Sequence, residues 1–384
     1  MSGNTLQVKS FGQIVAADLI FGDLTVIIGP QASGKSIMLQ LFKLLRDSYD
    51  ITANLKKHGY DWRNDPKNLL DLYFGENLSS LWRQSTSIRM DEKEFTLESL
   101  LRKERKPVKE KVFYIPAQRV MTLDNGWPKP FTGFRVGDPY VVKNFSEDMR
   151  LLMEGLGGVQ GLIFPQERRL KKTIRDHLDH SIFHGAQVEL DSSGLQRRIV
   201  LKVGDMSLPY MTWSAGQREF LPLLLGIDWL MPPAAISKKA EVDWVIIEEP
   251  EMGLHPRAIL SLVLIFLDLI WRGYKLIIST HSTIIPQAIW AIQKIQKLDN
   301  NVDNLFELFT IEKNSSLNQV FQDALGKKSY LTYYFDHRTD GVHSYDISSL
   351  DPGNEHDEIA DWGGLTEFST TVSEVISRIV MEKS

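Results

Sequence analysis

One stretch of eight residues constrains this chain more than any other. Residues 29–36 read GPQASGKS, which fits the pattern G-x-x-x-x-G-K-S. They follow an apolar, β-branched run at 24–28, typical of a buried parallel strand, and precede a run at 37–45 that is apolar at helical spacing. In this context the glycines let backbone N–H groups converge on phosphate oxygens, and the positive end of the new helix points at the same place. The sequence therefore predicts a site for a nucleoside triphosphate.

Every residue of this loop is a candidate nucleotide ligand. Lys35 is expected to reach the β- and γ-phosphates, where it also serves catalysis, and the hydroxyl of Ser36 is expected to bind Mg²⁺. The predicted nucleotide-binding residues of the loop are Gly29, Pro30, Gln31, Ala32, Ser33, Gly34, Lys35 and Ser36.

The composition narrows the setting in which such a site works. The 384 residues carry a net charge of −5, so the chain has no overall basic field that would hold nucleic acid. It has no cysteine, and its longest apolar run, at 258–271, is too short to cross a bilayer. The first residues lack the features of a signal peptide. These observations predict a cytoplasmic protein that does not associate with a membrane.

Two basic clusters are candidates for local contacts with DNA. Residues 102–111 hold six basic and two acidic side chains, and residues 168–175 hold five basic and no acidic ones. The alternative is that each cluster is a solvated segment of the surface, and the sequence leaves both interpretations open.

The patterns along the chain predict a single domain, 1–384, with additions to its core. An insertion at 50–111 is expected to hold helices and a β-hairpin. A turn-rich segment at 120–185 is expected to form an inserted arm, and residues 286–384 an α/β extension.

The extension is expected to contain strands and one amphipathic helix. The runs at 305–311 and 331–335 are apolar and aromatic, which favours strands. Residues 365–382 place apolar side chains at helical spacing, which predicts a C-terminal helix.

Two further strand ends carry acidic and imidazole side chains. A buried strand at 243–247 delivers Glu248 and Glu249 to its carboxyl end, where parallel sheets bind ligands. Glu248 is expected to hold Mg²⁺ or its water shell, and Glu249 to polarise the attacking water. Another buried strand, at 274–278, leads to His281, which we expect to contact the γ-phosphate.

A helix with a favourable N-cap is predicted to begin at Ser214, between the loop at 29–36 and the strand at 243–247. Ser214 is a favourable N-cap, Gln217 stands at the capping-box position, and leucines follow at 221 and 223–225. Taken alone, this pattern indicates a core helix as readily as a ligand site.

The order of these motifs resembles that of ATPases of the ATP-binding-cassette (ABC) type. The segments GPQASGKS, PAQR, WSAGQRE, VIIEEPEMGLHP and IISTHS follow one another over residues 25–285. The resemblance is narrower to the soluble branch associated with DNA and phage defence, which includes the ATPase half of the overcoming-lysogenization-defect (OLD) nucleases. It implies an α/β P-loop NTPase fold with a mixed sheet as core, an antiparallel β subdomain and helical insertions.

The resemblance also implies roles for individual residues. In such ATPases two ATP molecules lie between two subunits. The phosphate-binding loop (P-loop) of one subunit, here residues 29–36, faces the signature of the other. Gln118 matches the glutamine that binds Mg²⁺ and senses the nucleotide, Glu249 the general base, and His281 the switch histidine. Residues 252–255 match the loop that meets the partner subunit. The signature, which touches the γ-phosphate in trans, is matched by Ser214, Ala215, Gly216 and Gln217.

This chain departs from the family pattern at two places. Glu248 stands where most members have Asp, which changes the reach of the carboxylate toward Mg²⁺. Trp213 and Ala215 stand where transporters favour Leu and Gly, and the methyl group of Ala215 lies where the backbone approaches phosphate.

These features together predict an ATPase that converts ATP and water to ADP and phosphate. A site with donors around all γ-phosphate oxygens needs a second subunit, which implies a homodimer, or a higher even oligomer, that closes around ATP and Mg²⁺. The expected role is control of a separately encoded effector, a nuclease or a toxin, in anti-phage defence. The segment after 285 is too short for the nuclease domain that OLD enzymes carry.

Three other functions compete with this one. A DNA-repair or chromosome-maintenance ATPase would need a long coiled coil, and the sequence has no long heptad array. The long insertions in this chain argue against the nucleotide-binding subunit of a transporter. A scaffold that binds ATP without hydrolysing it would have no need of Glu249 as a base.

Overall fold

The structure is a computed structural model of the chain. It describes residues 4–101, 109–155, 161–167, 169–191, 197–232 and 238–383. Most of the basic cluster expected at 102–111 lies outside these residues, as does Arg168 of the second cluster.

The described chain contains both strands and helices. Its strands are β1 (Thr5–Phe11), β2 (Ile14–Ile20), β3 (Leu24–Ile28), β4 (Trp82–Met90), β5 (Lys93–Phe95), β6 (Val112–Ile115), β7 (Leu123–Asp124), β8 (Trp127–Pro128), β9 (Gly161–Phe164), β10 (Gln187–Asp191), β11 (Arg198–Val203), β12 (Met206–Pro209), β13 (Trp244–Glu248), β14 (Lys275–Ser279), β15 (Tyr330–Arg338) and β16 (Gly341–Asp346). Its α-helices are α1 (Lys35–Lys57), α2 (Pro66–Phe74), α3 (Tyr140–Gly155), α4 (Lys172–Leu178), α5 (Ala215–Leu230), α6 (Pro256–Trp271), α7 (Ile284–Leu298), α8 (Val302–Leu308), α9 (Ser315–Leu325), α10 (Asp357–Ala360) and α11 (Glu367–Lys383).

A mixed sheet runs through the middle of the molecule. Within the described residues it has ten strands in the order β5-β4-β1-β2-β16-β15-β3-β14-β13-β6. The half from β15 to β6 is parallel throughout. Strands β3, β6 and β13 are buried along their whole length, because both faces of this half are covered, and they therefore read as unbroken apolar runs.

The parallel strands send alternate side chains into two cores, one on each face of the sheet. Val26 and Ile28 of β3 belong to the larger core, whereas Ile27 belongs to the other, and Ile246 of β13 joins Ile27. Helix α1 packs on the second face, and α6 lies within the larger core. The apolar run at 258–271 is thus the buried body of α6.

Antiparallel pairing builds the remaining sheets. Strands β1, β2, β4 and β5 pair antiparallel at one end of the large sheet, and β16 joins them to its parallel half. Strands β12, β11, β10 and β9 form a separate antiparallel sheet. The predicted α/β class, with a mixed core sheet, an antiparallel part and helices between strands, is confirmed.

One predicted strand is wrong. The segment at 305–311 lies in helix α8 and the turn after it, not in a strand. The side chain of Asn301 caps this helix by accepting a hydrogen bond from the N–H of Asp303. Leu305 and Phe306 of the helix are buried. The run LFELFTI contains residue types that are common in strands. The cap that precedes it favours a helix instead. The strand at 331–335, the hairpin of β4 and β5, and the C-terminal helix are confirmed.

The expected arm at 120–185 contributes to the main core. Phe145 and Met149 of α3 and Ile163 of β9 are buried in the larger cluster. No helix among the described residues combines the length and apolarity needed to span a bilayer.

Candidate functional site

The loop after β3 has the backbone that a phosphate cradle requires. Gly29 has φ 151° and Gly34 φ 82°, a region that side chains disfavour. A Cβ at Gly29 would lie 2.6 Å from the carbonyl oxygen of Phe335, and one at Gly34 would lie 3.1 Å from Nε2 of Gln13. Helix α1 begins at Lys35 without a side-chain cap, so its first N–H groups remain available to an anion.

The Lys35 ammonium is folded onto its own loop. Its Nζ atom donates to the carbonyl oxygens of Gly29 (2.9 Å) and Pro30 (2.7 Å) and to Oγ of Ser33 (3.3 Å). Burial lowers the pKa of Lys35, and the carboxylates of Glu249, Glu248 and Glu251 oppose that shift. A negative charge in the loop would therefore strengthen the charged form of this amine.

Glu248 is buried at the end of β13, beside Ser36. Its Oε2 accepts a hydrogen bond from the N–H of Ala117 at 3.1 Å. Burial raises the pKa of Glu248, while the side chains of Ser36 and Tyr114 and the N–H of Ala117 favour its charged form. Its Oε1 is buried and has no hydrogen-bond partner. A carboxylate oxygen left unpaired next to a serine hydroxyl is a donor set that suits Mg²⁺.

The site of Gln118 lies directly beyond that contact. Gln118 follows Ala117 after the end of β6, and its side chain is exposed. Since β6 pairs in parallel with β13, the residues after each strand emerge at the same edge of the sheet. The structure therefore places Gln118 beside the Glu248 end of the site.

Glu249 and His281 face each other at neighbouring strand ends. Nε2 of His281 lies 3.5 Å from Oε1 of Glu249, and the two side chains are 34% and 30% exposed. Glu249 has φ 42°, and its N–H donates to the carbonyl of Ser279 at 2.9 Å. This left-handed backbone turns the Glu249 side chain out of the strand direction and toward the imidazole.

Glu251 is a site residue that the sequence analysis did not single out. Its Oε1 accepts hydrogen bonds from Oγ1 of Thr280 (2.7 Å) and from the N–H groups of His281 (2.7 Å) and Ser282 (3.2 Å). Its carboxylate thus closes the loop that carries His281. A third glutamate within four residues of one strand end is the signal that points to it.

Arg119 is the second residue that sequence reasoning missed. It is fully buried and donates to three carbonyl oxygens, of Glu219 (3.1 Å), Glu248 (3.0 Å) and Glu249 (3.0 Å). Its position after Gln118 in the segment PAQR is the only hint that the sequence holds.

The signature segment lies at the start of α5, with Ser214 and Ala215 exposed to solvent. Ser214 and Gln217 form a capping box, in which Oγ of Ser214 accepts from the Gln217 N–H and the Gln217 side chain accepts from the Ser214 N–H. The amide of Gln217 donates to the carbonyl of Ile182 at 3.2 Å. Among the described residues, the hydrogen bonds of this segment go to its own helix and to this carbonyl, and none joins it to the P-loop.

The structure thus sorts the predicted residues into two groups. Lys35, Ser36, Glu248 and the Glu249–His281 pair converge at the carboxyl ends of β3, β13 and β14. Residues 214–217 make no hydrogen bond to this cluster within the described part of the chain and present an exposed helix N-terminus. The first group gathers an amine, a hydroxyl, two carboxylates and an imidazole at one edge of the sheet, and the second is the capped, solvent-exposed start of a helix.

The basic clusters are largely occupied by their own chain. Arg175 donates to the carbonyls of Glu167 and Leu170, and Arg169 donates to those of Asp228 and Met231. Lys171 pairs with Asp268, Lys172 with Asp176, Lys109 with Glu241, and Lys111 with Asp243, in a set of ion pairs. These described side chains thus have partners within the chain, and whether either cluster contacts DNA stays a prediction.

Part of the chain is similar to a known family. Residues 174–285 match the family model described as "AAA domain, putative AbiEii toxin, Type IV TA system". This segment contains the capped helix start, Glu248, Glu249 and His281, but not the P-loop. It supports an AAA-type ATPase domain, and the narrower OLD-like resemblance remains a prediction. No curated protein matches the chain.

The chain has a low structural similarity to two solved structures. One is titled "Crystal structure of the SmcHead bound to the C-winged helix domain of ScpA"; it is 11% identical, with a TM-score of 0.42, and the match covers 91% of this chain and 98% of that one. The other is the SMC head domain from Thermotoga maritima, 12% identical, with a TM-score of 0.35 and coverage of 90% and 99%.

Proposed function

We propose that this chain is a Mg²⁺-dependent ATPase of ABC type that forms a dimer around ATP. One observation carries the proposal. The residues for phosphate binding and water activation meet at one edge of the parallel sheet, while the signature serine stands on a separate, exposed helix start. In the proposed dimer, the signature of a second subunit supplies the remaining donors around the γ-phosphate.

The P-loop would hold the phosphates. Its backbone N–H groups and the start of α1 provide donors, and Lys35 exchanges its carbonyl partners for phosphate oxygens. Glu248, Ser36 and Gln118 are the residues that would hold Mg²⁺. The unpaired, buried Oε1 of Glu248 is the observation that fits the ion. Mg²⁺ when bound supplies positive charge that neutralises the phosphate oxygens.

Glu249 would act as the general base. Its carboxylate is partly exposed, faces His281, and is held by a backbone turn that Ser279 and Arg119 fix. It orients the attacking water and accepts its proton as the water oxygen bonds to the γ-phosphorus and the bond to the ADP oxygen breaks. His281 positions this carboxylate and contacts the phosphate side of the site.

A phosphate-release assay tests the reaction directly. Wild type is expected to release phosphate from ATP with Mg²⁺ and to stop when EDTA removes the ion. Lys35→Ala is expected to lose binding of a fluorescent ATP analogue, whereas Glu249→Gln keeps binding and loses turnover. Equal turnover in wild type and Glu249→Gln would overturn the assignment of the base.

We further infer that the ATPase controls a separately encoded effector in anti-phage defence. Two observations support a protein partner of this kind. The family description names a toxin system. Helix α11 exposes a row of large apolar side chains, with Phe368 80%, Val372 44% and Ile376 55% exposed, as protein-binding surfaces do. An infection assay tests it: protection should require this chain and a second gene, and should fail with Glu249→Gln. Plaque counts that ignore the chain would refute the role.

A further inference from the structure

Arg119 joins two elements that serve different ATP molecules in the proposed dimer. Its Nη1 and Nη2 donate to the carbonyls of Glu248 and Glu249, which belong to the catalytic strand end. Its Nε donates to the carbonyl of Glu219, in the first turns of the signature helix α5. The planar guanidinium therefore fixes the distance between the two elements with three bonds of 3.0–3.1 Å.

The Glu249 end of this link is strained. Glu249 precedes Pro250 and has φ 42°, which a non-glycine residue adopts only when its surroundings hold it there. The bond from Arg119 to its carbonyl oxygen is one of the contacts that hold it. Loss of that bond would let the peptide relax and carry the carboxylate away from His281.

At the α5 end of the link, the first turns of the helix lack one hydrogen bond to the rest of the helix. Pro222 lies inside α5 and has no N–H to donate to the carbonyl of Arg218, and the hydroxyl of Tyr210 takes its place at 3.2 Å. The turns before Pro222 are therefore bound to their neighbours by Tyr210 and Arg119 as well as by the helix ladder. They can follow Arg119 when it moves.

Close backbone packing makes the link stiff. A Cβ at Gly216 would lie 2.7 Å from the carbonyl oxygen of Gly253, and Gly253 itself has φ 70°. The signature turn thus touches the loop that follows Glu249 and Glu251 without a side chain between them. Because the two backbones pack directly on each other at Gly216 and Gly253, a shift of one displaces the other.

We propose that Arg119 is a positioning residue that couples the two ATP sites of the dimer. The coupling rests on the proposed function, in which Glu249 serves the subunit's own ATP and Ser214 serves the partner's. Nucleotide bound in one site sets the Glu248–Glu249 backbone, Arg119 transmits that setting to the first turns of α5, and the signature then closes on the second ATP. Hydrolysis is accordingly cooperative between the two sites.

Kinetics of Arg119→Lys and Arg119→Met test this link. Lysine keeps the buried charge among the nearby glutamates but cannot donate to three carbonyls in the guanidinium geometry, so it separates charge from geometry. Both variants should bind a fluorescent ATP analogue within about twofold of wild type, and kcat should fall roughly 100-fold through misplacement of the base. The Hill coefficient for ATP should fall from above one to one.

A matched control comes from another buried arginine. Arg272 is 6% exposed and is paired with Asp268 at 2.9 Å, away from the site. Arg272→Lys should keep wild-type kcat and Hill coefficient even where its melting temperature falls as far as that of Arg119→Lys. Cooperative turnover in Arg119→Met, or equal loss of cooperativity in Arg272→Lys, would overturn the coupling.

Hydrogen exchange separates this proposal from the ATPase assignment itself. ATP added to wild type should protect amides of the P-loop and of residues 215–221, and in Arg119→Met only the P-loop should gain protection. This result is independent of turnover, so it supports the coupling even if wild type hydrolyses nothing. Wild-type protection confined to the P-loop, or unchanged protection of 215–221 in the variant, would overturn the coupling and leave ATP binding standing.

Discussion

Nε2 of His281 lies 3.5 Å from Oε1 of Glu249, across the ends of two adjacent parallel strands. In the register of the sheet Glu248 is opposite Ser279, and the pair is formed by the first residue after β13, Glu249, and the second residue after β14, His281. Glu251 holds the His281 loop from below, and Arg119 holds the Glu249 carbonyl. The backbones of the base and of its partner are thus each held by a side chain from another part of the chain.

The first prediction concerns Glu249→Gln. The amide keeps the size of the side chain but cannot accept the proton of water, so kcat should fall by about 100-fold or more. Affinity for ATP should stay within a few-fold, because the P-loop is untouched. Phosphate release and analogue binding measure the two effects, and Glu241→Gln, at a carboxylate paired with Lys109 outside the site, is the control. Equal losses in the two variants would contradict the assignment.

The second prediction concerns His281 and Glu249 as a pair. His281→Ala should lower kcat because Glu249 loses the group that orients it. If the two act as one unit, the double variant His281→Ala with Glu249→Gln should be no slower than Glu249→Gln alone, within about twofold. A rate at the product of the two single losses would show that they act independently.

The third prediction concerns Glu251. Glu251→Ala removes the acceptor of three donors, Thr280, His281 and Ser282, and should lower the free energy of unfolding by about 2 kcal/mol. Glu251→Gln retains one carbonyl oxygen and should lose less than half as much. Urea unfolding of wild type and the two variants measures these differences. Equal stability of the alanine variant and wild type would contradict a stabilising role for the Glu251 hydrogen bonds.

The fourth prediction concerns pH. Burial raises the pKa of Asp50 to about 7, with Glu110 and Asp47 adding to the rise and Lys43 opposing it. A carboxyl whose pKa is raised on folding favours the folded state at low pH, and this contribution is lost as pH rises from about 4 through about 7.

Wild type should therefore lose stability relative to Asp50→Asn between pH 5 and pH 8, by about 2 kcal/mol after allowance for partial exposure. Urea unfolding at both pH values measures this difference, with the exposed Asp205→Asn as control. A pH dependence that is the same in wild type and in Asp50→Asn would contradict the shift at Asp50.

The sequence predicted those parts of the site that depend on local chemistry. The P-loop, the capping box of Ser214 and Gln217, and the strand that ends at Glu248 are each defined by residues within one turn or one strand. Arg119 could not be predicted in the same way. Its partners, Glu219, Glu248 and Glu249, are 100, 129 and 130 positions away. Only the fold brings their carbonyls together.

The strand predicted at 305–311 failed for a related reason. Its apolar and aromatic residues fit the buried side of a short helix as well as a strand, and the Asn301 cap that starts the helix precedes the run. Burial of Leu305 and Phe306 against the larger core then decided the conformation. The hydrogen bonds of Arg169 and Arg175 could not be predicted either, since their acceptors are backbone carbonyls.

The mass of Glu249→Gln in solution tests the central claim most directly. Light scattering with ATP and Mg²⁺ should give twice the mass, or an even multiple of it, that is found without nucleotide, because binding persists while hydrolysis stops. Adding Ser214→Arg, which places a bulky cation at the signature, should abolish that change while analogue binding stays. A mass that ignores ATP in Glu249→Gln, while wild type turns over normally, would contradict a site completed by the partner subunit.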